Sequence, residues 1–392
     1  MKHLLATARL VTNDGPPIEN AALAIDDHGK IAWIGARDQA PGAPTHEAPL
    51  VTPGLVDAHT HLAWAGSRHL EYAMRMSGAD YVAIAKAGGG IASTHRAVAD
   101  ASEDELARLI ASRLERMASL GVTTVEVKSG YGLTRELEMK QLRAIARASS
   151  RGDLPRVVPT VLALHSLPPG ETDRAKYTDS ACALVGEASR LGLARFVDAY
   201  VDEHAFDVAA ARKVATVAKD AGLGVRLHVG QFSDVGGAEL AAELGAKSAD
   251  HLEHLSERGA RALADAGVCA GLLPTAAFTL GQAPPDVALL RRAAVSLVVA
   301  SDANPGTAPT ESLPLAMALA VRTYGLSPDE ALAGATVNAA RSLDLDTGVL
   351  RIGARADLVL WDLPHEIALV QPWGTPRARL VMRDGTVIAK RD

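Results

Sequence analysis

Only two cysteines, Cys182 and Cys269, occur in 392 residues. Two cannot build a disulfide framework or a cysteine-only zinc site, and so few suit a reducing compartment. Basic charge is not in excess either: 40 lysines and arginines stand against 46 acidic residues, with no polybasic block. A nucleic-acid partner is therefore not expected. No apolar run approaches the ~18 residues that a membrane helix needs. The N-terminal stretch is broken by Arg9 and enters a turn at Asn13-Asp-Gly-Pro, unlike a signal peptide. Low-complexity tracts and short solenoid repeats are also missing. The expectation is a soluble cytoplasmic protein with no membrane contact. Its 48% hydrophobic content allows one large domain and a small one.

What is present changes character along the chain. Residues 1–50 alternate like strands, over Leu4 to Thr12 and Ala21 to Ile34, with a turn at Asp26-Asp-His-Gly-Lys30. His28 and His46 read as solvated turn residues. From Val51 to about Leu343 the pattern becomes strand, polar end, helix, repeated. The strand candidates are Leu50–Val56, Val122–Val127, Val157–Leu164, Phe196–Val201, Gly224–Leu227, Ala246–Ala249, Val268–Leu273 and Ser296–Ala300. Helix starts stand out at Ser102-Glu-Asp-Glu105, at Asp207 and at Ser327-Pro-Asp-Glu330. From about residue 346 strands return, at Ala356–Trp361 and in a hairpin around Asp384-Gly385. This order predicts an α/β protein: a (β/α)8 TIM-like barrel over 51–345, with a small β-sandwich domain assembled from 1–50 and 346–392. A doubly wound sheet would usually carry a Gly-rich phosphate turn after its first strand. Gly88-Gly-Gly90 follows no strand, so that alternative lacks its mark.

A barrel places reactive side chains just past the C-terminal ends of its strands. His59 and His61 follow strand one, Lys128 and Tyr131 strand two, and His165 strand three. Asp202, Glu203 and His204 follow strand four. His228 ends strand five, Asp250, His251 and His254 accompany strand six, and Asp302 follows strand eight. An HxH pair alone also fits two histidines hydrogen-bonded in a loop. On extended backbone, however, alternate side chains point the same way, so His59 and His61 can reach one ion. Imidazole is the usual ligand of a borderline-soft metal, and a catalytic site needs more than two. His59, His61, His228 and Asp302 are expected to hold a single ion. Three neutral imidazoles and one carboxylate leave a zinc(II) centre at about +1. That charge acidifies bound water towards ~7, giving a hydroxide that attacks an electrophilic carbon. His251 stands nearby as proton shuttle or polariser, and Asp302 can take the water's proton.

Two further absences narrow the reaction. No lysine lies near the end of strand four to bridge two metals, so a mononuclear centre is expected, with Lys128 in a supporting role. Position 231 is glutamine, whereas a deaminase of this architecture needs a titrating acid there. Gln231 can orient a substrate amide or carbonyl by hydrogen bonds, so opening of a ring amide fits better than deamination.

These segments resemble the imidazolonepropionases of the amidohydrolase superfamily, from about Val51 to Leu345 with agreeing flanks. The resemblance rests on Pro53-Gly-Leu-Val-Asp-Ala-His-Thr-His61, Ala65-Gly-Ser-Arg68, Ala87-Gly-Gly-Gly-Ile91, Glu126-Val-Lys-Ser-Gly-Tyr-Gly132, Ser248-Ala-Asp-His-Leu252 and Asp302-Ala-Asn-Pro-Gly306. It implies hydrolysis of 4-imidazolone-5-propanoate to N-formimidoyl-L-glutamate in histidine breakdown, one zinc or iron ion per subunit, and a homodimer. Against that small-molecule substrate, Arg68 offers a fork for the propanoate carboxylate. Tyr131 can bond the same group or the ring, and His165 and Gln231 can hold ring polar atoms. Asn304, Gly306 and Thr307 correspond to family contacts. The plainer readings are a surface ion pair for Arg68, a packed turn residue for Tyr131 and a capping histidine for His165. His69, His95, His204 and His254 read as structural. The chain departs from the family after strand four, where a Cys-Glu pair is usual and Val201-Asp-Glu-His-Ala-Phe206 stands instead. Another cyclic-amide hydrolase or a nucleobase-type deaminase of the superfamily is the alternative enzyme. A barrel without chemistry is the alternative of another class, although such scaffolds generally lose metal ligands.

Overall fold

The computed structural model describes residues 2–79, 89–373, 375 and 377–391. Ala87 and Gly88, the start of the Ala87–Ile91 segment, lie outside them. The strand-like head of the chain forms β1 (His3–Leu10), β2 (Ile18–Ile25), β3 (Ile31–Ala36) and β4 (His46–Pro53). The tail adds β13 (Leu358–Trp361), β14 (Ala378–Arg383) and β15 (Thr386–Lys390). All join one seven-stranded sheet in the order β15-β14-β13-β4-β1-β2-β3. With strands ~4.8 Å apart, its two wings would lie far from each other if the sheet were flat. Instead the β2–β3 turn at Gly29 touches Asp384 in the β14–β15 turn. The sheet therefore curls into a sandwich-like fold. Leu5, Leu23 and Ile25 share one core with Leu358, Leu380 and Met382. His46 is not a turn residue: it opens β4 and packs its ring 5.6 Å from that of His3.

The eight-stranded sheet follows chain order, from β5 (Leu55–Asp57), β6 (Val122–Lys128), β7 (Arg156–Leu164) and β8 (Phe196–Val201) to β9 (Gly224–Val229), β10 (Ser248–His251), β11 (Cys269–Leu272) and β12 (Leu297–Val299). Every neighbouring pair is parallel. β12 and β5 share no continuous ladder, but just beyond them Thr60 and Ala303 make a parallel bridge that closes the ring. The helices start where the capping signals stand. Ser102 accepts from the Glu105 amide, Asp207 from that of Ala210, and Ser327 and Glu330 complete a reciprocal box.

One expected strand divides. The run 50–56 is continuous in hydrophobicity, but β4 pairs with β1 and β13 as far as Pro53, and β5 enters the barrel at Leu55. Gly54 between them lies so close to the Thr123 side chain that a Cβ would collide. Among the described residues, no helix is long and apolar enough to cross a membrane.

Candidate metal centre

Side chains two apart on a strand share a face, and in a barrel one face points inward. Most small barrels fill that interior with branched aliphatics. Here it receives Asp57, His59 and His61 from the β5 end, Glu126 and Lys128 from β6, Asp198 from β8, Arg226 and His228 from β9, and Asp250 from β10. All are buried.

The four expected ligands converge. His59 Nε2 lies 3.1 Å from His228 Nε2, which lies 3.3 Å from His61 Nε2. Asp302 Oδ1 is 3.6 Å from His59 Nε2 and 3.4 Å from His61 Nε2. Donors 2.0–2.1 Å from one tetrahedral zinc ion stand about 3.3 Å apart, so the spacing suits one ion. The protonation pattern demands a cation as well. His59 Nδ1 lies 2.7 Å from Asp250 Oδ2, and His228 Nδ1 lies 3.0 Å from Asp198 Oδ1. Each carboxylate fixes the ring proton on Nδ1 and leaves Nε2 with a bare lone pair. Burial keeps the rings neutral, pushing His61 to about 3, His228 to about 4 and His59 well below its ordinary range. Two lone pairs facing each other repel unless an ion lies between them.

The orienting carboxylates are themselves held. Lys128 Nζ lies 2.9 Å from Asp198 and 2.8 Å from Glu126, whose other oxygen accepts from the Thr60 amide. Burial opposes the ammonium charge, but Asp198 and Glu126 outweigh it and raise the Lys128 pKa. Arg226 lies 3.4 Å from Asp250 and donates to the carbonyls of Ala58 and Ser342. Lys128 and Arg226 thus face Glu126, Asp198, Asp250 and Asp302, two cations against four carboxylates. A bound cation would offset that excess of acidic groups. Burial raises the Asp57 carboxyl to about 7 and pushes those of Glu126 and Asp302 up as well, and a bound cation would favour their charged forms. Lys128 stands where a supporting role was expected, whereas Asp198, Arg226 and the part played by Asp250 were not expected from the sequence. The available signal was a charged residue at an inward position of an otherwise apolar strand.

His251 sits beside the cluster, its ring 5.4 Å from that of His228. Its donor atoms also group with those of His59 and His228 within 4.8 Å, so it can serve the ion or a proton. Burial would lower its pKa, but the Glu253 carboxylate, 3.7 Å away, holds it up. Asp302 and His251 both adopt left-handed backbone, at φ 55° and 83°, a strain of about 1–3 kcal/mol each.

A cavity of about 370 Å³ opens above the donors, and Arg68, Tyr131, His165, Gln231, Asn304 and Thr307 all line it. His165 Nδ1 donates to the Gly130 carbonyl at 2.7 Å, which leaves Nε2 as an acceptor. Burial pushes this ring to about 3. Tyr131 lies on a turn held by Glu138 and Gln141, which accept from the amides of Gly130, Tyr131, Gly132 and Leu133. His95 Nδ1 also bonds the Tyr131 carbonyl. Arg68 is not a surface residue: Glu71 accepts from its Nε at 2.8 Å, and its Nη1 packs against Gly306, where a Cβ would not fit. Asn304 spends both amide atoms on its own loop, donating to Asp302 Oδ2 and accepting from the Gly306 and Thr307 amides. His204, read as structural, lies on the cavity wall. Asp202 does not face substrate: it accepts from the amides of Phe232 and Ser233 and ties the loop after β8 to the loop after β9.

Comparison with known proteins agrees with this architecture. The model of the amidohydrolase family matches residues 50–389. An imidazolonepropionase of Shewanella frigidimarina is 42% identical over 388 residues, covering 95% of this chain and 93% of that protein. One of Maricaulis maris is 45% identical over 384 residues and covers 94% of each. Among solved structures, 5-methylcytosine deaminase from Klebsiella pneumoniae superposes with a TM-score of 0.79 at 19% identity, covering 99% of this chain and 98% of that one. Atrazine chlorohydrolase from Arthrobacter aurescens, complexed with zinc, gives 0.75 at 18%, covering 99% and 95%. At such identities the two structures share the fold. The sequence relatives extend over nearly the whole length, and the chain belongs to the amidohydrolase family and, within it, to the imidazolonepropionases.

Proposed function

We propose that this chain opens the ring amide of 4-imidazolone-5-propanoate, adding water to give N-formimidoyl-L-glutamate, at one zinc or iron ion held by His59, His61, His228 and Asp302. The observation that carries the reading is the convergence of these donors, with their lone pairs unshielded, on the floor of a cavity whose wall carries Arg68, His165 and Gln231. When bound, the ion supplies Lewis acidity, lowering the pKa of water towards ~7 and polarising a carbonyl. The protein's own groups do the rest. Arg68, braced by Glu71, presents its guanidinium to the propanoate carboxylate. His165 Nε2 accepts from a ring N–H. Asp302 Oδ1 takes the proton of the attacking water, and burial pushes its carboxyl up, in the direction that step needs. His251 relays that proton from Asp302 to the departing ring nitrogen. Gln231 cannot titrate, which favours ring opening over expulsion of ammonia.

The test is direct. Metal-replete protein given imidazolonepropanoate should abolish the ultraviolet absorbance of its ring without releasing ammonia. Persistent absorbance would refute the reading, and ammonia release would favour a deaminase.

A further inference from the structure

The amide of Gln231 is pinned from three sides. Its backbone carbonyl accepts from Gln282 Nε2 at 3.0 Å. The next amide, of Phe232, donates to Asp202 at 2.9 Å. Its side-chain Oε1 accepts from the Tyr200 hydroxyl at 2.8 Å. Tyr200 and Asp202 stand two apart at the end of β8, so they reach this neighbour from the same side. Gln231 is largely buried, yet it lines the cavity. Once Tyr200 occupies Oε1, the group left for the cavity is the Nε2 amino group, a donor with no acceptor among the described residues. An unheld glutamine amide can turn over and show either end. A held one reads only one kind of atom.

We propose that Tyr200 is a positioning residue for specificity: its hydroxyl fixes Gln231 with the amino group towards the substrate. The chain then selects a ligand with a hydrogen-bond acceptor at that point, a ring carbonyl oxygen or an unprotonated ring nitrogen. A ligand that offers an N–H there leaves two donors face to face and is rejected. On the wall of the same cavity, His165 Nε2 is an acceptor, because its Nδ1 proton is committed to Gly130. The cavity therefore offers a small ring a donor at Gln231 and an acceptor at His165. This inference deepens the hydrolytic reading above and rests on it for the identity of the ring. The lock itself is a property of the empty protein.

Tyr200→Phe isolates the hydroxyl, because the phenyl ring keeps its place 5.8 Å from the His228 ring. The expected result is a fall in kcat/KM of roughly tenfold, the worth of one hydrogen bond to an orienting group, with bound metal and melting temperature unchanged. In a Gln231→Ala background the same substitution should change kcat/KM by less than about twofold, since a residue acting through Gln231 has nothing left to act on. Equal costs in both backgrounds would overturn the proposal. So would loss of metal in Tyr200→Phe, which would reassign the residue to support of His228. A second measurement needs no substrate. In protein labelled with 13C,15N-glutamine, the Gln231 Cδ signal, identified by its loss in Gln231→Ala, should move upfield in Tyr200→Phe as its carbonyl loses a donor. If the NH2 signals move and Cδ does not, the amide faces the other way and the proposal fails. Failure of wild-type protein to consume imidazolonepropanoate would sink the substrate assignment and leave this spectroscopic test standing.

Discussion

At the scale of single residues, what matters is which proton each buried group holds. His165 is a clear case, because it is not among the proposed ligands. Burial, with His61 stacked 5.5 Å away, pushes its folded-state pKa to about 3 from an ordinary 6.5. A base with a depressed pKa contributes its full stability above 6.5 and loses it as the pH falls towards 3. Metal-free wild type should therefore lose about 2 kcal/mol more than His165→Asn between pH 7 and pH 5. Urea unfolding of both proteins at both values reads the difference. A parallel response would show that the imidazole is solvated. Arg68 gives a second residue-scale expectation. Its Glu71 brace leaves the cavity-facing edge for an anion, so Arg68→Ala should raise KM for the propanoate substrate roughly tenfold or more, with kcat less affected. An unchanged KM would make the pair a structural tie of the loop before the helix His69–Met76.

At the scale of elements, the strand ends and helix caps were legible because their signals are local. Ser327, Pro328 and Glu330 announce a helix, and the structure returns one over Pro328–Gly334 with both halves of the capping box. That helix packs Gly334 against Val299 of β12, and the residue after it, Ala335, accepts from the Val56 amide in β5. Ser327→Ala removes one bond of the box and should cost about 1 kcal/mol, seen as a lower urea midpoint with unchanged KM. No shift in midpoint would mean that tertiary contacts alone hold the turn. The division at Gly54 was not legible, since both halves of the run 50–56 are fully buried and periodicity does not record which sheet a strand joins. The buried clamps were equally silent. Asp250 and Asp198 act through contacts with residues far off in sequence, at His59 and His228, and only the closed ring brings them together. The ligands escaped this limit because a barrel ties strand ends to one mouth, whatever the distance along the chain.

At the scale of the molecule, the metal centre and the closure of the barrel coincide. Between β12 and β5 the ring depends on a few bonds past the strands. The Asp302 amide donates to the His59 carbonyl at 3.1 Å, and the His61 amide to the Ala303 carbonyl at 2.9 Å. The residues that make these bonds also supply three of the four proposed ligands. By contrast, β8 and β9 pair over six consecutive residues, from Phe196 with Gly224 to Val201 with Val229. An ion held by His59, His61 and Asp302, with His228 of β9 as the fourth ligand, would bridge the weak seam, where few backbone bonds do so. A chelated protein would also expose the mutual repulsion of the His59 and His228 lone pairs and the uncompensated carboxylates beneath them. Ion at a hundred times its Kd adds about 2.7 kcal/mol to global stability, which alone would slow exchange everywhere that requires full unfolding. The local prediction is sharper. On removal of metal, the amides of His61 and Asp302 should lose hydrogen-exchange protection by a larger factor than those of Val158 and Val161 in β7, a strand that carries none of the proposed ligands. Exchange measured by mass spectrometry, before and after chelation and again after restoring zinc, separates the two effects. Equal loss at both places would mean that the ion stabilises the barrel as a whole and that the seam is held by its backbone bonds alone.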